Sequence, residues 1–139
     1  MIANLLVAYD GSSQAQKAFA FGLEMAQKHD ARLAVVSVAR LPEPPVAVEM
    51  QAVLDNATVY YQSHFAEMKA KAAAKGVKVD FEVRVGHPAE QIARLAEERK
   101  MDAIVMGHRG ESLLQKWLVG SVAKRVLSYA PCTVIVVRG

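Results

Sequence analysis

The sequence of 139 residues lacks the features that mark several large classes of protein. Its one cysteine, Cys132, excludes an internal disulfide framework. No uninterrupted apolar run reaches the length of about 18 residues that a membrane-spanning helix needs. The first residues, MIANLLVAYDGSS, carry no basic region before their apolar run, so they predict a first strand and not a signal peptide. A cytoplasmic protein is therefore expected.

Net charge is also small, because 17 basic residues face 14 acidic ones and leave an excess of +3. This excess is too small to indicate a nucleic-acid binder, which usually carries a long basic stripe, and no membrane partner is expected. The informative charges are local, since Arg109, Lys116, Lys124 and Arg125 lie in or just after one glycine-containing segment. Such a local positive field suits a small anion.

Strand-like and helix-like stretches alternate along the whole chain. Apolar runs predict strands at 2–9, 31–39, 77–85, 101–107 and 132–138, and helical spacing predicts helices at 13–29, 47–75, 88–100 and 120–129. Three prolines within residues 40–46 predict a loop, which we expect to be the least ordered segment. This alternation predicts one α/β domain, residues 1–139, in which helices cover both faces of a five-stranded parallel sheet.

The strongest candidate for a binding site is a set of three glycines, Gly107, Gly110 and Gly120, with Ser121 following the last. Ligands of open α/β sheets bind beyond the carboxyl ends of the strands, where the strand order reverses. If the first and fourth strands are neighbours, these glycines meet the turn that begins at Asp10. Glycine allows positive φ and close approach to a phosphate, and a helix beginning at Gly120 offers unpaired N–H groups and the positive end of its dipole. Asp10 can accept hydrogen bonds from ribose hydroxyls or help to hold a metal ion.

The same glycines also have a purely structural explanation. Gly107 and Gly110 can simply shape a turn after a strand, while Gly120 allows close helix packing. The segment matches neither the G-x-x-x-x-G-K-[ST] loop nor the G-x-G-x-x-G fingerprint, and short glycine patterns do not by themselves decide between the two explanations.

The spacing Gly107-x-x-Gly110, nine residues, then Gly120-Ser121 resembles the ATP-binding signature of the universal stress protein family. The stretch LLVAYDGSSQAQKAF resembles that family's opening strand and helix, Gly86-His87-Pro88 resembles a helix start within it, and GSVAKRVLSYAPCTVIVVR resembles its closing helix and strand. The resemblance covers the whole chain. It implies a three-layer fold of the adenine nucleotide alpha-hydrolase-like type, with strand order 3-2-1-4-5. It also implies a cytoplasmic homodimer in which ATP occupancy controls conformation or partner choice during stress.

The resemblance further implies which residues contact an ATP that lies across the ends of strands 1 and 4. Those at the adenosine end would be Ala8, Tyr9, Asp10 on the ribose, Val38 through its backbone, Met106 and Gly107. Those at the phosphates would be Arg109, Gly110, Gly120, Ser121 and Val122, with Mg²⁺ or Mn²⁺ bridging the phosphate oxygens. The dimer would form by pairing of the last strand, Thr133–Val137.

Several other polar residues have simpler explanations. His108 stands where family members commonly have serine, and it is the one histidine expected near the site; Glu111 adds a negative charge there. His29 and His64 are expected to be exposed helix residues, and His87 a helix cap. Cys132 is expected to be an inert structural thiol, and Trp117 to pack under the loop.

Two other functions stay open from the sequence. One is a slow ATPase or another enzyme that processes adenine nucleotides, although the chain has no evident general base and lacks both the S-G-G-x-D-S and H-x-G-H motifs. For that reason no residue is assigned a catalytic role. The other is a structural dimer module without nucleotide, which requires the glycines to serve packing alone.

Overall fold

The computed structural model describes residues 1–40, 47–109 and 120–139. In these ranges, the strands are β1 (Asn4–Ala8), β2 (Arg32–Arg40), β3 (Val79–Gly86), β4 (Ala103–Gly107) and β5 (Thr133–Val137). The helices are α1 (Ser13–His29), α2 (Ala47–Ala74), α3 (Pro88–Glu98) and α4 (Ser121–Tyr129). The expectations for the proline loop, Gly110, Glu111 and Trp117 fall outside the described residues.

The five strands form one parallel sheet in the order β3-β2-β1-β4-β5, which confirms the expected topology. β1 is central, with Leu6 paired to Ala34 of β2 on one side and to Ile104 of β4 on the other. β3 and β5 are the two edges. The strand order therefore reverses beside β1, and the carboxyl ends of β1 and β4 lie next to each other.

Both faces of the sheet are covered, which explains why its strands are nearly continuous apolar runs. Leu5 and Val7 point into the core beneath α1 and α2, whereas Leu6 and Ile104 point into the core beneath α3 and α4. All four side chains are fully buried. None of the helices in the described ranges is long and apolar enough to cross a membrane.

The helix ends follow local chemistry that the sequence already indicated. The Ser12 hydroxyl accepts a hydrogen bond from the amide of Ala15 at 3.1 Å and so caps α1. Gly76 takes a positive φ of 69° just after α2, and Pro88 occupies the first turn of α3, where a missing N–H costs nothing. These signals fix where the chain turns back toward the sheet.

Candidate functional site

The carboxyl ends of β1 and β4 bring together four of the apolar residues expected at a nucleotide. Met106 is buried beneath α3 and α4, and the partly buried side chains of Ala8, Val38 and Val122 pack against the same cluster. They come from three strands and the first turn of α4. The structure thus places them on one face of the sheet, near the point where its strand order reverses.

Asp10 lies at the exposed mouth of this region, in the turn between β1 and α1. Its Oδ1 accepts a hydrogen bond from the Ser12 amide at 3.0 Å, which fixes the carboxylate relative to the turn. The turn also needs Gly11, whose φ is +87°. A carboxylate has about four acceptor sites, so Asp10 retains capacity for ribose hydroxyl groups.

Tyr9, which precedes Asp10, turns its side chain away from this face into the core beneath α1 and α2. Its hydroxyl forms a 2.7 Å hydrogen bond with Nδ1 of His64 on α2. Burial raises the pKa of the Tyr9 phenol above its ordinary value, although a hydrogen bond with Gln16 acts in the other direction. The backbone of Tyr9 is engaged too, because its amide donates to Val36 and its carbonyl accepts from the Ser37 hydroxyl.

The expectation that His64 is an exposed helix residue was wrong. Its ring is half-buried and lies against the rings of Tyr9, Tyr60 and Tyr61, with centroids 5.4 to 5.9 Å apart. The reason is tertiary, since the middle of α2 packs over the turn that follows β1. His29 is exposed as expected, and His87 stands at the N-cap of α3 without a side-chain capping bond.

Gly107 has a packing role that is independent of any ligand. A Cβ at this position would lie 2.9 Å from Cβ of Gln14 and 3.0 Å from the Gln14 backbone, so β4 can approach the first turn of α1 only with glycine here. Its φ is not among the positive values found at the described glycines. The property used at Gly107 is therefore small size and not backbone freedom.

Gly120 is also needed for close packing, and it joins the two ends of the glycine segment. A Cβ here would lie 3.1 Å from Cα of Arg109 and 3.2 Å from the carbonyl oxygen of His108. Its own amide donates to that His108 oxygen at 2.5 Å. The glycine pattern alone consequently does not establish a ligand site, because packing already requires glycine at both positions.

The start of α4 nevertheless has the properties of an anion site. Gly120 is the N-cap and offers no side-chain acceptor, and the first bond of the helix runs from the Lys124 amide to the Gly120 carbonyl. Ser121 is thus the first helical residue and not the cap, and its side chain is exposed. The amides of the first turn have no partner within the helix, and they stand at the positive end of its dipole.

The side chain of Arg109 gives evidence for anion binding that the glycine pattern does not give. Its Nε and Nη1 atoms are shielded from solvent, and neither has a hydrogen-bond partner within the described part of the chain. A guanidinium N–H that is buried without an acceptor is costly, and the cost disappears when an anion binds it. The atoms belong to the residue packed against Gly120, beside the start of α4.

Two further residues complete the description of this region. The His108 side chain, only 4% exposed, places Nδ1 at 3.3 Å from Oε1 of Gln14. Sequence reasoning did not single out Gln14, and its position in the apolar spacing of α1 gives no signal of that contact. Among the described residues, no group of three His, Cys, Asp or Glu side chains is arranged to hold a metal ion.

Cys132 lies outside this region and is half-buried. Burial raises the pKa of its thiol, and the charge of Asp102 adds to the effect. A thiol with a raised pKa is a poor nucleophile near neutral pH, which agrees with the expected structural role.

Comparisons with known proteins point to one family. The profile of the universal stress protein family matches residues 1–138. A universal stress protein of Methanocaldococcus jannaschii is 32% identical over 137 residues, which cover 96% of this chain and 81% of the relative.

Solved structures agree with that match. The universal stress protein UspA from Lactobacillus plantarum has a TM-score of 0.87 at 28% identity, covering 98% of this chain and 97% of the other. A universal stress protein from Archaeoglobus fulgidus, in complex with dAMP, has a TM-score of 0.66 at 20% identity, covering 98% of this chain and 97% of the other.

Proposed function

Because the chain belongs to the universal stress protein family, we propose that it binds an adenine nucleotide, ATP in particular, across the carboxyl ends of β1 and β4. The observation that carries this proposal is that two guanidinium nitrogens of Arg109 are shielded and have no hydrogen-bond partner in the described part of the chain, while the Cα of this residue packs against Gly120, the N-cap of α4. In this account the chain is a single-domain cytoplasmic regulator of the stress response. Nucleotide occupancy sets its conformation or its choice of partner.

The adenosine half of the site uses the face that α3 and α4 cover. Ala8, Val38 and Met106 provide an apolar surface for adenine, and Asp10 accepts hydrogen bonds from the ribose. The backbone of Val38 recognises the adenine edge, and Gly107 flanks the ribose. The side chain of Tyr9 lies in the opposite core, so only the backbone of Tyr9 belongs to the nucleotide side of the sheet.

The phosphate half of the site uses charge and backbone amides. Arg109 pairs with phosphate oxygens through its planar guanidinium, and the amides at the start of α4, including those of Ser121 and Val122, donate to them. Gly110 and Gly120 belong to the same half. The dAMP complex of the Archaeoglobus protein supports an adenine nucleotide as the ligand class.

A divalent cation, Mg²⁺ or Mn²⁺, would bridge the phosphates and neutralise part of their charge. Among the described residues near these strand ends, Asp10 offers a carboxylate to such an ion, and the remaining ligands would be phosphate oxygens and water. The ion therefore accompanies the nucleotide and has no preformed protein cage in the described residues.

Regulation is favoured over catalysis by the chemistry of the described side chains. A hydrolase needs a group that activates water, yet the His108 side chain is buried against Gln14, and the Asp10 carboxylate is assigned to the ribose hydroxyls. A slow ATPase stays the second candidate function. Formation of ADP on incubation with ATP and Mg²⁺ decides between them.

The homodimer is proposed to form through the edge of β5. Because the His108 amide donates to the Val137 carbonyl, the backbone groups of Val137 face β4 and those of Val136 face outward. Among the described residues no strand pairs with this outer edge, and we propose that a second copy of β5 does. Phe21 on α1 and Leu127 on α4 are exposed large apolar side chains on the helices that contact this strand.

The experiment begins with the purified protein, which is denatured so that any bound small molecule is released. Anion-exchange chromatography with detection at a wavelength of about 260 nm then identifies a released nucleotide. Calorimetric titration with ATP, ADP, AMP and adenosine then ranks the ligands. We expect ATP with Mg²⁺ to bind most tightly, because only phosphates satisfy Arg109 and the start of α4. A folded protein that carries no nucleotide and binds none of the four would overturn the proposal in favour of a structural dimer module.

A further inference from the structure

We propose that His108 is a positioning residue that holds Arg109 toward the phosphates, so that it governs the preference of the site for ATP over free adenosine. The inference rests on the proposed function and deepens it. It concerns a buried residue whose side chain does not itself need to touch the nucleotide.

Within the described part of the chain, three hydrogen bonds join His108 to three different elements. Its amide donates to the Val137 carbonyl of β5 at 3.1 Å, and its carbonyl accepts from the Gly120 amide at the start of α4. Its Nδ1 lies 3.3 Å from Oε1 of Gln14 on α1. Because a carbonyl oxygen can only accept, Nδ1 carries the hydrogen and donates it.

The bond to Gln14 is the one of the three that a substitution can remove without altering the backbone. It joins the end of β4 to the first turn of α1, where Gly107 already brings the two backbones together. The next residue is Arg109, whose Cα lies against Gly120. A binding group must be held within about 0.5 Å of its productive position by packing and supporting hydrogen bonds. The His108–Gln14 contact is in the right place to provide that support.

The position of His108 predicts a split between the two halves of the ligand. Ala8 belongs to β1, Val38 to β2 and Asp10 to the turn after β1. None of the three is bonded to His108 in the described contacts. Loss of the His108 side chain should therefore weaken binding of ATP about tenfold, which is the lower part of the range for charge-assisted hydrogen bonds, and leave adenosine within about twofold. If His108 were needed only for folding, its loss would weaken the binding of ATP and of adenosine by similar factors.

The test compares His108→Ala, His108→Asn and Gln14→Ala by calorimetric titration with ATP and, separately, adenosine. Asparagine places an amide N–H close to where histidine has Nδ1–H, so His108→Asn should restore most of the ATP preference even if a smaller side chain lowers stability. Gln14→Ala should reproduce the loss seen in His108→Ala. The double variant should show no further loss beyond that of His108→Ala, since both single substitutions remove the contact between Nδ1 of His108 and Oε1 of Gln14.

A second readout does not depend on any ligand. In the nucleotide-free protein, the Arg109 Nε–H resonance should shift and exchange faster with solvent in His108→Ala, while His108→Asn keeps it close to wild type. Equal losses for ATP and adenosine, or an unchanged ATP preference in His108→Ala, would overturn the inference. A wild-type protein that binds adenosine and ATP equally would instead overturn the proposed phosphate site itself.

Discussion

At the scale of single residues, three of the described glycines are explained by small size and not by backbone freedom. Gly22 in the middle of α1 faces β1, and a Cβ there would lie 2.8 Å from Cγ2 of Val7. Gly107 and Gly120 likewise stand where two backbones approach. Gly22 and Gly107 thus allow α1 to pack closely against the sheet, because neither has a side chain.

The change Gly22→Ala separates packing from helix propensity. Alanine normally stabilises a helix interior by up to about 1 kcal/mol relative to glycine. Here the new methyl group meets Val7, which is fully buried and has no room to move, so we expect a net loss of about 1–3 kcal/mol in the free energy of unfolding. Urea denaturation measures it. An alanine variant as stable as wild type, or more so, would show that α1 can lift off the sheet at little cost.

Residue types near the site were largely predictable, whereas their contacts were not. The family resemblance implied Arg109 and Gly120 as phosphate contacts, but the shielding of the Arg109 nitrogens depends on the residues that surround them. His64 was expected to be exposed, because the sequence of α2 does not tell which of its faces meets the turn after β1. Contacts between elements far apart in the chain need the packed structure.

At the scale of elements, the carboxylate of Asp102 joins the starts of two neighbouring strands. Oδ2 of Asp102 accepts hydrogen bonds from the amides of Ala3 at 2.7 Å and Asn4 at 2.8 Å, which ties the start of β1 to the start of β4. These two bonds lower the pKa of Asp102 below its ordinary value. The ionised form therefore stabilises the folded state.

The Asp102→Asn variant should be less stable than wild type at about pH 7, because a neutral amide accepts these bonds more weakly. A lowered pKa in the folded state means that the advantage of wild type is present above the unfolded pKa and disappears as pH falls through the folded one. Chemical unfolding of both proteins from about pH 7 down to about pH 2 measures the difference. A difference that stays constant over this range would contradict the assigned role.

The order and bounds of the elements followed from the sequence for clear physical reasons. β1 and β4 are buried on both faces and read as apolar runs, while Ser12, Gly76 and Pro88 mark helix ends through capping, positive φ and a first-turn proline. The strand order 3-2-1-4-5 came from the family resemblance, because parallel strands of similar composition do not reveal their neighbours. The alternation of apolar and charged residues in β3 agrees with its position at the edge of the sheet.

At the scale of the whole molecule, the two edges of the sheet differ in how they are protected. On β3, Arg84 bonds Glu98 of α3 at 2.7 Å and also pairs with Glu82. Burial would lower the pKa of Arg84, but its two carboxylate partners outweigh that effect and raise it. β5 reads TVIVV and is apolar apart from its first residue. The charged edge discourages pairing with another strand, while the apolar edge invites it.

The change Val136→Pro tests the proposed dimer without breaking the sheet. Proline removes the outward N–H of β5 and leaves the bond from His108 to Val137 intact, so the monomer should fold while dimer dissociation rises at least tenfold. Ile135→Pro is the matched control, because its N–H faces β4 and its loss should destabilise the monomer. Analytical ultracentrifugation gives the dissociation constants. A Val136→Pro dimer as tight as wild type would move the interface away from β5.

The most direct measurement of the central claim is a calorimetric titration of ATP with Mg²⁺ into wild type and Arg109→Gln, together with the free energy of unfolding of each without nucleotide. Glutamine at position 109 removes the shielded charge and keeps the backbone contact with Gly120. This substitution therefore avoids the close contact with Arg109 that a Cβ at position 120 would make. We expect ATP affinity to fall by about 10- to 100-fold while stability stays unchanged or rises, because the two shielded nitrogens of Arg109 that have no acceptor among the described residues are costly in the nucleotide-free protein. An unchanged ATP affinity with a clear loss of stability would contradict the account, since Arg109 would then support the fold and not a phosphate.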